Sequence, residues 1–253
     1  MIMKPNVSLF FPAYNDEHTL PNIVDRSISL LNEIANEYEI IIVNDCSPDN
    51  SGKVADVIAA SNSKVKVIHH AVNMGYGGAL KTGVANSKYE WICMVDGDNE
   101  YDVYELKKML AVRDYYQLII GFRYKKLYST KRIFISYIYN QCLRLLFKSP
   151  FRDVSTGIRV MHHSIINQIN ITSNSPFVGA ELALKAMLRG IPVGEVGIQT
   201  FPRIFGSGSA TSLKNIRLTI SDVFRVRKEI FSDSYDLPSG RVRHINEEIY
   251  KKL

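Results

Sequence analysis

The stretch WICMVDGDNE, residues 91–100, runs five apolar residues straight into an acidic turn, and its reading decides the fold. A short, continuous apolar run bounded by turn residues is the mark of a strand buried on both faces. Asp96, Asp98 and Glu100, at alternate positions after Gly97 and Asn99 are allowed for, gather three negative charges at the end of that strand. The same pattern recurs toward the N-terminus. Val7–Phe11 ends at Pro12, EIIIV (39–43) ends in NDCSPDNSG, and Val65–His69 ends in NMGYGG. Helix-forming stretches separate these runs, at about Glu17–Asn36, Lys53–Ala60 and Ala79–Asn86. Strands alternating with helices predict an α/β domain with a mostly parallel central sheet flanked by helices.

Toward the C-terminus the chain reads as a strand at Gln117–Ile120, an amphipathic helix around Ile133–Phe147 and a strand near Ile158–Met161. A helix from about Gly179 to Leu188 and a strand at Val193–Ile198 follow. The Gly/Ser-rich loop RIFGSGSA (203–210) then precedes a helical run, Leu213–Phe231. Along it Ile216, Ile220, Val223, Phe224 and Phe231 recur at near-helical spacing, with Arg217, Arg225, Arg227 and Lys228 between them. The organisation is one domain over 1–211, a basic amphipathic helix over 212–231 and a polar tail over 232–253.

Composition narrows the function classes. A chain with 46% hydrophobic and 22% charged residues is neither disordered nor, with 15 Gly, collagen-like. The net charge of +6 invites a polyanion: nucleic acid, an anionic membrane surface or a phosphorylated substrate. No nucleic-acid-binding motif or aromatic-basic platform is present, which argues against nucleic acid. Cys46, Cys93 and Cys142 lie far apart and form no CxxC pair, so a reducing compartment is expected. The N-terminal MIMKPNVSLFFPAYND lacks the features of a signal peptide, and no window approaches about 18 uninterrupted apolar residues. A cytoplasmic protein follows from this reading.

In an open parallel sheet, ligands bind at the carboxyl ends of the strands. The polar clusters sit there: Pro12, Ala13, Tyr14, Asn15 and Asp16; Asn44 and Asp45; and Asp96, Gly97, Asp98, Asn99 and Glu100. Asp45 taken alone reads as a turn residue or helix cap. The acidic trio reads either as a solvated loop or as a site for a divalent cation with oxygen preference, whose octahedron phosphates and water can complete. NMGYGG lacks the GxGxxG spacing, which argues against a dehydrogenase. Lys81 lies one turn into the following helix, within range of a nucleotide. His69–His70 and His162–His163 lie on or beside strands, where neighbours point to opposite faces, so neither pair chelates one metal and no role is assigned.

VSLFFPAYND, EIIIVNDCSPDNS, NMGYGGALKTG and MVDGDNEYD, in this order, resemble the nucleotide-sugar domain of inverting family 2 glycosyltransferases, with the GT-A-type nucleotide-diphospho-sugar transferase fold. GFR (121–123), DVSTGIR (153–159), GAELALKAMLRGIPVGEV (179–196) and RIFGSGSA extend the resemblance to the dolichyl- or polyprenyl-phosphate sugar synthases. The resemblance implies that Pro12, Ala13, Tyr14 and Asp16 border the base and ribose and that Asp45 hydrogen-bonds the base. It implies that Asp96, Asp98 and Glu100 hold Mg2+ or Mn2+ against the diphosphate, with Gly97 in the same loop. Arg123, Arg132, Ser136 and Arg203 match positions that contact phosphates of the donor or of the lipid acceptor. Asn44 replaces the first acid of the usual pair, Glu100 stands where this branch usually has Gln, and Phe122 replaces a small residue. Val103 and Tyr104 stand where prolines usually follow the acidic cluster, and no QxxRW motif of processive synthases is present.

The implied reaction moves a sugar from a UDP- or GDP-sugar to a lipid phosphate by single displacement with inversion. Asp98, Arg123 and Arg203 act on the phosphates, and an ionised acceptor needs no general base. With a hydroxyl acceptor instead, a carboxylate must remove a proton, and Asp153 is placed for it; with a lipid phosphate, Asp153 is structural or orients an arginine. A sugar-nucleotide-binding protein without activity would keep Asp45 and dispense with the metal set. The stretch KRIFISYIYNQCLRLLFK and the helix at Leu213–Phe231 fit either packing on the sheet or lying on an anionic bilayer, which makes a peripheral association with the cytoplasmic face of a membrane the expected location.

Overall fold

The computed structural model describes residues 3–125, 127, 130–202, 212–232 and 242–244. Its strands are β1 (Val7–Ala13), β2 (Tyr38–Asn44), β3 (Val65–His69), β4 (Trp91–Val95), β5 (Leu118–Arg123), β6 (Ile158–His162), β7 (Val193–Ile198) and β8 (Val242–His244). They form one sheet in the order β3-β2-β1-β4-β6-β5-β7-β8. β6 runs antiparallel to both β4 and β5, and every other pairing is parallel. This is the mostly parallel α/β architecture that the apolar runs predict.

The helices are α1 (Leu20–Ile34), α2 (Ser51–Ser61), α3 (Gly75–Ala85), α4 (Glu105–Leu110), α5 (Thr130–Phe147), α6 (Val178–Leu188) and α7 (Leu213–Ser232). α1 shows why they form where they do. Pro21 presets the first turn, and Leu20, Ile23, Val24, Ser27, Leu30 and Leu31 fall on one buried stripe at three- and four-residue spacing. Strand residues alternate between two cores. Leu9, Phe11, Ile40, Ile42, Cys93 and Val95 enter the core shared with α1, while Phe10, Ile41, Val43, Ile92 and Met94 enter the core shared with α3 and α6. Both faces are thus sealed, as a parallel sheet requires.

Three elements depart from the sequence expectation. α3 begins at Gly75 rather than Ala79, because its first turn is held from outside: Gly77 N donates to Asn174 O at 3.0 Å. The short helix α4 was not expected. Val242–His244, inside the stretch read as a polar tail, pairs with β7 as an added parallel strand.

The topology decides where chemistry can occur. β2, β1 and β4 are neighbours and parallel, so the loops after Asn44, Ala13 and Val95 meet along one edge. Because β6 is reversed, its leading segment, 153–157, arrives at that same edge, beside the carboxyl end of β5 at Arg123.

Candidate functional site

The first two loops are stitched together. Ala13 O accepts from Asp45 N at 3.0 Å, Asn15 N donates to Ser47 Oγ at 2.6 Å, and Asp16 N donates to Ser51 Oγ at 2.8 Å. Asp16 also turns back on its own loop, where its Oδ2 accepts from Tyr14 N at 2.9 Å. Tyr14 is exposed above this edge. Asn15, Cys46 and Asn99, one in each of the three loops, have φ values of 61°, 54° and 60°. Left-handed backbone is costly outside glycine and collects at functional sites, where the surroundings enforce it.

Asp45 is 4% exposed and does not cap α2. Its Oδ1 accepts from His70 Nδ1 at 2.6 Å and from Met74 N at 2.7 Å. The turn-or-cap reading is thereby replaced by a carboxylate held from β3 and from the start of α3. His70, assigned no role from sequence, is part of this site; His69 faces the other way, to Asn44 Nδ2 at 2.9 Å and Asp56 Oδ1 at 3.0 Å. The two rings do point to opposite faces.

The acidic loop is seated on neighbouring backbone. Pro12 O accepts from Gly97 N at 3.4 Å, and Thr19 Oγ1 donates to Gly97 O at 2.6 Å. Asp96 N donates to Gly157 O at 2.9 Å, and Tyr76 Oη donates to Asp96 Oδ1 at 2.8 Å. Asp96 lies so close over Gly157 that a Cβ there would stand 1.7 Å from its Oδ2. Only glycine leaves that room. Although Asp96 keeps some surface, burial of its carboxyl, and then the charges of Asp98 and Glu100, raise its pKa well above the usual carboxylate range. The buried Asp98 accepts from Glu100 N at 3.0 Å, and Glu100 faces Arg132, with Oε1 3.6 Å from Nη1.

This arrangement tests the expected metal set. Among the described residues no three His, Cys, Asp or Glu side chains form a metal-binding group, and Glu100 of the expected Asp96–Asp98–Glu100 set faces Arg132. The buried carboxyls of Asp96 and Asp98, and a buried Asn99 Oδ1 with no hydrogen-bond partner among the described residues, still offer hard oxygen donors of the kind Mg2+ and Mn2+ take. A cation with few protein ligands fits here.

On the far side of β4 the ion pair of Arg123 and Asp153 dominates. Arg123 Nε donates to Asp153 Oδ2 at 2.7 Å and Nη2 to Oδ1 at 3.0 Å, with both side chains buried. Ser155 Oγ donates to Oδ1 at 3.0 Å. Glu195, buried on β7, accepts from Arg152 N at 2.8 Å and so fixes the segment carrying Asp153; burial pushes its carboxyl up to about 7. Phe122, unexpected for its size, lies under the Arg152 guanidinium, 4.8 Å from the ring centre.

Of the remaining expected residues, Arg132 and Ser136 share the first turns of α5, so the structure brings Arg132 to the acidic loop. Lys81 Nζ donates to Asn174 Oδ1 at 2.6 Å. Arg203 and the rest of 203–210 lie outside the described residues, although Phe201 N, two residues earlier, donates to Glu100 O at 2.9 Å.

The family model for glycosyl transferase family 2 matches residues 8–169. The uncharacterized glycosyltransferase EpsJ of Bacillus subtilis is 34% identical over 134 residues, covering 53% of this chain and 38% of that protein. The chain therefore spans little more than a third of that relative's length. Polyprenol monophosphomannose synthase of Mycolicibacterium smegmatis is 28% identical over 248 residues, covering 93% of this chain and 91% of that one. Among solved structures, glucosyl-3-phosphoglycerate synthase from Mycobacterium tuberculosis, in complex with Mn2+, UDP and phosphoglyceric acid, superposes with a TM-score of 0.70 at 14% identity, over 92% of this chain and 80% of that one. That likeness confirms the GT-A-type fold.

Proposed function

The chain belongs to glycosyl transferase family 2, and from that premise we propose that it moves a sugar from a UDP- or GDP-sugar to the phosphate of a polyprenyl or dolichyl lipid, with inversion at the anomeric carbon. The observation that carries this reading is the state of Asp153. Both of its oxygens receive the Arg123 guanidinium, which supports an arginine-orienting role over that of a base. A lipid phosphate is already ionised at neutral pH and needs no base, whereas a hydroxyl acceptor does. The similarity to polyprenol monophosphomannose synthase along nearly the whole chain supports the same acceptor class.

On this reading Asp45 meets the base, while Tyr14 and Asp16, at the end of β1 beside Pro12 and Ala13, border the base and ribose. Asp96 and Asp98 would hold Mg2+ or Mn2+, which when bound would supply positive charge beside the diphosphate. An acceptor phosphate oxygen attacks the anomeric carbon as the bond from that carbon to the donor's β-phosphate oxygen breaks, and the electron pair leaves with the nucleoside diphosphate. Arg123, pre-oriented by Asp153, and Arg132, at the head of α5, offer guanidinium donors to phosphate oxygens. Arg203 and Ser136 complete the acceptor side of the proposal.

The outer surfaces of α5 and α7 support a membrane-bound acceptor. Leu213, Ile220, Phe224 and Phe231 are exposed along one side of α7, with Arg217, Arg227 and Lys228 beside them, while Val223, Val226 and Ile230 face the core. Phe134, Tyr137 and Ile138 are exposed on α5. Apolar residues bordered by cations suit the boundary of an anionic bilayer. No helix among the described residues is long and apolar enough to cross a membrane, so the association is peripheral on this reading.

The direct test incubates the protein with a panel of UDP- and GDP-sugars, Mn2+ and a short-chain polyprenyl phosphate. The expected product is a glycosyl phospholipid whose anomeric configuration, by NMR, is opposite to the donor's. A retained configuration, or transfer to hydroxyl acceptors alone, defeats the proposal.

A further inference from the structure

We infer that His70 is a positioning residue for donor recognition: it fixes Asp45 so that one carboxylate oxygen is committed to the protein and the other is presented to the N–H edge of the donor's base. The inference rests on the proposed role of Asp45 and adds to it the group that sets its geometry.

β3 lies beside β2 in parallel register, with Asn44 opposite His69. The next residue on each strand, Asp45 and His70, therefore leaves the sheet at the same level. His70 N donates to Asn44 O at 2.9 Å, which locks the crossing, and His70 then turns to the α3 face. Its Nδ1 meets Asp45 Oδ1 at 2.6 Å and its Nε2 meets Thr82 Oγ1 at 2.9 Å. Both side chains are nearly closed to solvent, 6% exposed for His70 and 5% for Asp45. A carboxylate only accepts, so Nδ1 carries the proton on that bond. Thr82 stands at the other nitrogen and fixes the plane of the ring.

The asymmetry of Asp45 gives the chain its consequence. Met74 N also binds Oδ1, at 2.7 Å, and Asn73 Nδ2 binds the backbone carbonyl of Asp45 at 3.1 Å. Among the described residues no hydrogen bond falls on Oδ2. A buried carboxylate clamped through one oxygen by an imidazole and a backbone N–H has its second oxygen aimed, and an aimed acceptor selects a base presenting a ring N–H, as uracil and guanine do. Cys46, next in sequence, takes a left-handed φ of 54°.

The test measures binding by calorimetry in the presence of Mn2+, with UDP, GDP and inorganic pyrophosphate as probes. A hydrogen bond to a buried charged group is strong enough that His70→Ala is expected to weaken the preferred nucleotide by about tenfold or more. Pyrophosphate binding should be unchanged, because the phosphates do not meet Asp45. His70→Asn, which can place an N–H where Nδ1 stood, should recover most of the loss, and Thr82→Val, which leaves His70 in place, should give a smaller one. In turnover the same variants should raise KM for the donor and leave kcat nearly unchanged. Equal weakening of nucleotide and pyrophosphate by His70→Ala, or no weakening of either, overturns the inference. A wild-type protein that binds neither UDP nor GDP overturns the underlying reading of Asp45, an outcome recognisable without any variant.

Discussion

Arg123 grips Asp153 through two nitrogens, Nε at 2.7 Å and Nη2 at 3.0 Å, at the point where β5 and the reversed β6 bring their ends together. The pair is 5% and 4% exposed, so removing one partner leaves a buried charge alone, at a cost of about 3–5 kcal/mol. Arg123→Ala should therefore lower the melting temperature and abolish transfer. Asp153→Asn keeps the shape and one acceptor oxygen for the guanidinium, and it should retain measurable turnover because no proton needs removing. Complete loss of transfer in a folded Asp153→Asn protein would restore Asp153 as a general base and point to a hydroxyl acceptor.

Gly157 supports Asp96 by having no side chain. A methyl group there would stand 1.7 Å from Asp96 Oδ2, so Gly157→Ala must push the carboxylate off its seat under Tyr76. Overpacking of this kind costs about 1–3 kcal/mol of stability. The sharper effect should be on Mn2+-dependent nucleotide binding, measured by calorimetry on protein whose circular dichroism remains native. Unaltered binding would show that Asp96 is not a ligand of the cation.

The parts of this fold that could be read from the chain were those whose signal is local. Val65–His69, Trp91–Val95 and Val193–Ile198 begin and end where the apolar runs do, because turn residues bound them. The first turn of α3 was hidden by its three glycines, poor helix formers, two of which, Gly75 and Gly77, leave room for Asn174 to pack against them from a distant segment. Six-residue α4 is too short to show a period, and β8 joins the sheet through its backbone, which side-chain patterning does not record. At the site, alternation correctly separated His69 from His70. What each ring meets depends on β3 lying next to β2, a tertiary fact with no signature in either segment.

Glu195 should impose a pH dependence on stability. Burial raises its carboxyl in the folded protein to about 7 from an ordinary value of 4.5, so the folded state holds the proton more tightly than the unfolded chain. The associated stability is fully present below about pH 4.5 and is lost as pH rises through about 7, amounting to about 3 kcal/mol for a shift of this size. Glu195→Gln keeps an oxygen for Arg152 N and cannot ionise. Urea denaturation between pH 5 and 8 should show the wild type losing stability relative to Glu195→Gln as pH rises. Parallel curves would mean that Glu195 is ionised throughout.

The exposed side of α7 should act in membrane binding and contribute little to folding. Phe224 is 62% and Ile220 52% exposed, whereas Val226 and Ile230 on the opposite side are buried. Replacing the first two by Glu removes apolar surface from water-facing positions, where substitutions usually change stability by no more than about 0.5 kcal/mol. The same change places two acids among Arg217, Arg227 and Lys228, whose attraction to anionic lipid is worth about 1 kcal/mol per cation near the surface. The double variant, Ile220→Glu with Phe224→Glu, should therefore melt like the wild type but fail to float with anionic vesicles at low salt. It should also lose transfer to a vesicle-embedded polyprenyl phosphate while keeping transfer to a short-chain acceptor in detergent. If the variant floats as well as the wild type, or if the wild type does not float at all, α7 is not the membrane contact, and the acceptor must reach the acidic loop by another face.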